Sequence, residues 1–134
     1  MANEAILRVR YSDPTDFTVA DGAAIAKGTV CKLSDLRTGA ASSADGDIFA
    51  GIAARDKIAS DGRTQLALFT DGIFDVTLGA SGATTLGHKI NITGANLFSA
   101  ASVTTAADFA EHVGKVLETG ANDEVVQVEI GRGA

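Results

Sequence analysis

With 134 residues, 46% of them hydrophobic and 21% charged, the chain has the length of one folded domain and needs neither disulfide nor metal to hold a core. Eleven Lys and Arg against 17 Asp and Glu leave a formal charge of −6 with the basic residues scattered, which excludes a nucleic-acid backbone as the main partner. Cys31 is the single cysteine, so no intrachain disulfide can form, and no apolar run approaches the roughly 20 residues of a membrane span.

Met1-Ala2-Asn3-Glu4 lacks the basic-then-apolar opening of a secretory signal, so synthesis in a reducing cytoplasm is expected. Ala5–Tyr11 then reads as a strand: Ile6, Arg8 and Arg10 alternate with Leu7, Val9 and Tyr11. Ser12-Asp13-Pro14 closes it, which sets residues 1–16 apart as an arm ahead of a single β-domain over 17–134. Alanine is abundant, but 15 glycines interrupt it and sustained helical spacing is absent. Short β-type runs follow instead at Thr29–Leu33, Ile48–Ala53, Thr64–Thr70, Ile73–Leu78, Lys89–Ile92, Val113–Glu118 and Glu124–Ile130. Leu66 and Leu68 share one face, as do Val126 and Val128, the period of a strand covering a core on one side. Asp21-Gly22, Asp45-Gly46, Asp61-Gly62 and Asp71-Gly72 supply turns, the last predicting a hairpin between Thr64–Thr70 and Ile73–Leu78. One short helix is expected at Thr105–Glu111, where Thr105 and Asp108 have the spacing of a capping box.

The chain also echoes itself. Lys27–Leu33 parallels Leu86–Ile92 at an offset of 59, Phe49–Ala53 parallels His112–Val116 at 63, and Leu66–Leu68 parallels Val126–Val128 at 60. Near-constant spacing predicts two similar units, about 17–79 and 80–131, packed as one barrel or sandwich. The fold class expected is all-β.

Motifs that carry chemistry fail on inspection. Gly82-Ala83-Thr84-Thr85-Leu86-Gly87-His88-Lys89 resembles a phosphate loop, but His88 intervenes before the Lys and Ile90 follows it, so a turn entering a strand is expected. Gly79-Ala80-Ser81-Gly82-Ala83 lacks the second Gly of a nucleophile elbow. His88 and His112 have too few companions for zinc and are expected at the surface or a strand edge. Asp45-Gly46-Asp47 reads as a turn without the rest of a calcium loop, and Cys31 reads as a small buried hydrophobe. No catalytic, cofactor-binding or metal-binding residue is predicted. A domain with no reactive cluster works through its surfaces.

The succession Asp21–Val30, Phe49–Ala53, Thr70–Phe74, Leu86–Ile90, Val113–Leu117 and Val125–Ile130 resembles the capsid cement, or head-decoration, proteins of tailed phages over about residues 17–131. The resemblance implies a compact β-barrel-like virion protein on the outer capsid surface, a homotrimer at three-fold positions whose partner is the major capsid protein. It implies stabilisation of the expanded shell, with no membrane partner, and it transfers no binding residue by motif. On physical grounds Ile6, Leu7, Arg8, Val9, Arg10 and Tyr11 are the candidate contact with the capsid or a neighbouring subunit, by strand addition. The alternative for that segment is a first strand within its own sheet. Rival functions are another virion β-domain (tail tube or fibre base) and a small ligand- or carbohydrate-binding barrel.

Overall fold

A computed structural model describes residues 3–101 and 111–131. The expected helix at Thr105–Glu111 falls almost wholly outside the described residues. Among the described residues there are eleven strands: β1 Ile6–Val9, β2 Thr15–Thr18, β3 Val30–Asp35, β4 Thr38–Ala41, β5 Phe49–Ala53, β6 Gln65–Phe69, β7 Gly72–Leu78, β8 Lys89–Gly94, β9 Leu97–Ala100, β10 His112–Val116 and β11 Val125–Ile130. The fold is all-β.

β2-β4-β3-β5-β6 form a closed barrel. Its interior is lined by Phe17, Val19, Ile25, Cys31, Ala50, Ala53, Leu66 and Leu68. The second sheet runs β1-β7-β11-β10-β8-β9 and returns on itself where β9 pairs in parallel with β7. Its core comprises Phe74, Val76, Leu78, Ile90, Ile92, Phe98, Val126, Val128 and Ile130 among others. Strand alternation then joins the two. Cys31 and Leu68 point into the first barrel, so their neighbours Val30 and Phe69 point out of it, and with Ile52 they enter the core cluster of the second. Phe69 and Phe74 meet across the junction, ring centroids 5.9 Å apart.

The echo in the sequence is a repeat of backbone pairings. Cys31 opposes Gly51 in the first barrel and Ile90 opposes Gly114 in the second. Phe17 opposes Leu66 as Val76 opposes Val126, and the bridge of Ile25 to Lys57 recurs between Thr84 and Gly120. Gly28 and Gly87 hold the same turn at φ 89° and 86°, a conformation that a side chain disfavours. Arg37 and Asn96 occupy one left-handed position in matching hairpins, and so do Ser60 and Asp123 in matching loops. Each unit closes its own barrel, where a common barrel or sandwich was the expectation. Five short strands suffice for that because small residues such as Cys31, Ala50 and Ala53 fill so narrow an interior.

The hairpin expected at Asp71-Gly72 does not form. β6 pairs with β2 and β5, and β7 with β1, β11 and β9, so Asp71-Gly72 is the link from one barrel to the next. A turn signal between two strands fixes a change of direction and not a partner. The junction has its own polar clasp: Asn96 Oδ1 accepts the Val30 N–H at 2.8 Å, and the Asn96 backbone N–H donates to Ser42 Oγ at 3.0 Å.

Candidate functional site

The predicted contact strand lies in its own sheet. β1 pairs antiparallel with β7, Ile6 opposite Asp75 and Leu7 opposite Phe74, with a bulge before Val9. Ahead of it the Ala5 N–H donates to Gly28 O at 2.8 Å on the first barrel. A Cβ on Gly28 would sit 2.4 Å from Ala5 O, so the arm seats there only against a glycine. The arm therefore spans both barrels.

Side chains fix it further. Arg8 Nε donates to Asp75 Oδ2 at 2.6 Å, and this bond, with the carboxylate's charge, pushes the Arg8 guanidinium further above its ordinary value. Arg10 lies 5.8 Å over the Phe69 ring, and Tyr11 Oη donates to the Glu129 carboxylate. Ser12 Oγ donates to Asp71 at 2.7 Å. These contacts clamp the arm, and Ala5 is buried, while Ile6, Leu7 and Val9 stay exposed.

That is the unusual feature. Among the described residues β1 stands at the end of its sheet, paired only with β7, and Ile6, Leu7 and Val9 are 56%, 36% and 45% exposed. An exposed apolar edge strand is a template for pairing with another chain, and folded proteins ordinarily blunt such edges. Under β1 runs a groove of about 740 Å³ with an apolar floor of Ile52, Ala53, Phe69 and Phe74. Arg10, Lys27 and Glu4 stand along it. The arrangement offers main-chain hydrogen bonds at an edge and apolar side chains beside it, with Arg10 paired to Asp13 and Lys27 and Glu4 alongside. It is built to hold an extended segment.

The other candidates disperse. His88 is exposed, its Nδ1 accepting the Thr85 N–H at 3.3 Å, and His112 lies in β10. Cys31 is fully buried, and burial pushes its thiol up to about 12, where it is neither nucleophile nor ligand at neutral pH. Asp47 closes a turn by accepting the Ser43 and Ala44 N–H groups. Burial raises its carboxyl, yet these bonds, with Lys32, bring it below the ordinary value. Ser81 sits exposed in the loop after β7. Among the described residues no group of three or more His, Cys, Asp or Glu could hold a metal ion.

Sequence reasoning missed the floor of the groove, since Ile52 and Phe69 read as core in any strand. The repeat could have found it: Ile52 and Phe69 correspond to Lys115 and Glu129, so an apolar pair stands where the second unit carries charge. It missed Lys57 too, a lysine 3% exposed whose counterpart is Gly120. Neither a protein-family model nor a curated protein matches the chain.

Proposed function

We propose that the chain is a capsid-decoration protein, binding the outer surface of a tailed-phage head through the open edge of β1 and stabilising the expanded shell. The observation that carries this reading is β1 itself, locked in place at both ends yet exposed along Ile6, Leu7 and Val9. A strand already ordered in the free protein loses little conformational entropy on docking. The partner is an extended segment of the major capsid protein, and the exposed cation at Lys27 favours an acidic residue within it. Association into a homotrimer multiplies one modest contact by effective concentration, so that each copy holds several shell subunits together. This work is adhesive, and it calls for no cofactor.

Mixing the purified protein with undecorated expanded heads and sedimenting them tests the reading. The protein should pellet with the heads, and Ile6→Glu/Val9→Glu should stay in the supernatant while keeping its circular dichroism, because both side chains already face water. Equal pelleting of the variant removes β1 from the mechanism. Failure of the unaltered chain to pellet removes the capsid.

A further inference from the structure

The internal repeat supplies a comparison within one molecule. In the second barrel the β8–β9 hairpin is docked: Ile92 and Asn96 are fully buried, Asn96 is clasped to Val30 and Ser42, and the Gly46 N–H donates to Ile92 O at 3.0 Å. What covers that hairpin is a barrel of the same fold. In the first barrel the matching β3–β4 hairpin is covered by nothing described. Leu33, the counterpart of Ile92, is 40% exposed, and Leu36 at the tip is 86% exposed. Ile48, whose carbonyl accepts the Leu33 N–H at 2.7 Å, adds a further 38% exposed side chain to the patch.

The receiving faces show the converse asymmetry. On the first barrel, Val30 and Ile52 oppose each other in register and are buried by the second barrel. Their counterparts on the second barrel are Lys89 and Lys115, also opposed in register, with the Lys115 side chain 40% exposed and its Nζ 3.6 Å from Glu129 Oε1. Beside them Leu86, the counterpart of Lys27, is 65% exposed. Among the described residues, one chain thus carries an undocked hairpin on one barrel and an uncovered receiving face on the other.

We infer that copies of this chain join head to tail in solution, the β3–β4 hairpin of one copy docking on the Leu86, Lys89 and Lys115 face of the next. The contact continues the intrachain barrel–barrel junction. Charge supports it: Asp16 and Asp35 flank Leu36, and Asp16, Leu36 and Arg37 line one shallow cleft. Arg37, which would otherwise oppose the lysines, is turned back, its Nη2 donating to Asp16 O at 2.8 Å. The clasp of Asn96 is not reproduced, since the Arg37 side chain has no acceptor, so apolar contact and a carboxylate against Lys89 replace it, beside the Lys115–Glu129 pair. A heterologous interface of this kind makes a closed ring when its rotation closes. The inference deepens the self-association part of the proposed function and needs no capsid.

The test is the mass of the free protein by light scattering after gel filtration. The unaltered chain should run as an oligomer, and Leu36→Asp and Lys89→Glu/Lys115→Glu should each run as folded monomers. Mixed, those two monomers should give a species of twice the monomer mass, because one keeps its receiving face and the other its hairpin. A monomeric parent chain overturns the inference, as does an oligomer indifferent to Leu36→Asp, and as does a mixture that stays monomeric, which marks a two-fold interface instead. Heads bound by a chain that is monomeric in solution would leave the capsid reading standing and this one fallen; rings that ignore heads would do the reverse.

Discussion

Asn96→Ala should be among the costliest single-atom-group deletions in this protein, although Asn96 is polar and sits in a hairpin turn. Two losses add. The Val30 N–H, fully buried, is left without its Oδ1 acceptor, which costs about 1–3 kcal/mol. Position 96 holds φ 58°, a left-handed conformation that Asn tolerates and Ala does not, at about 1–2 kcal/mol. The sum is about 2–5 kcal/mol. Asn96→Gly loses the same hydrogen bond but not the backbone preference, so it should cost about 1–3 kcal/mol. Arg37→Ala provides the control, being the same backbone position in the first unit with an exposed side chain; it should stay within about 0.5 kcal/mol. Urea unfolding followed by circular dichroism reads all of these, and an intact slope keeps the comparison valid. If Asn96→Ala unfolded at the same urea concentration as Arg37→Ala, the clasp would not hold the barrels together and the reasoning would fail.

Gly114→Ala should cost about 3 kcal/mol or more, because the new Cβ would lie 2.0 Å from Glu129 O in the neighbouring strand; Gly22→Ala, with open space around it, should be near neutral in the same urea assay. Lys57→Met should lower stability by about 3–5 kcal/mol, since its buried Nζ donates to the carbonyls of Asp21, Ala23 and Ile58 and to Asp61 Oδ1. A change below about 1 kcal/mol would show those carbonyls to be hydrated instead. The Asp61 carboxyl is held below its ordinary 3.8 chiefly by the Arg63 N–H, against partial burial, and further by Lys57. A carboxyl depressed by folding stabilises fully above its unfolded value and ceases to as pH falls through the folded one. Thermal midpoints should therefore drop as pH falls below about 4, and Asp61→Asn should make that drop shallower; an unchanged slope counts against the pair.

Alternation revealed the strands that have a core to cover. Glu124–Ile130 and Thr64–Thr70 were legible because Val126, Val128, Leu66 and Leu68 all fall on the buried face. β2, β4 and β9 were not, for each is a four-residue strand and β2 buries only Phe17 while β4 is Thr-Gly-Ala-Ala. Such strands are held by the barrel around them and carry little pattern of their own. The pairing partner of β7 was also beyond reach, since Asp71-Gly72 looks the same whether it closes a hairpin or crosses between barrels. Of the site, Ile6–Tyr11 was visible as a strand, but its edge position was not: whether a strand ends a sheet depends on the chain that does or does not lie beside it. The repeat was the most informative signal, because matching positions with unlike residues, Val30 with Lys89 and Asn96 with Arg37, mark where the two units meet different surroundings.

The most direct measurement is a cryo-electron microscopy map of expanded heads incubated with the protein. Density for the chain should lie outside the shell with β1 against an extended segment of a capsid subunit, its main chain continuing the sheet past Ile6, Leu7 and Val9. Density in which β1 faces solvent, or none on the shell at all, would contradict the account.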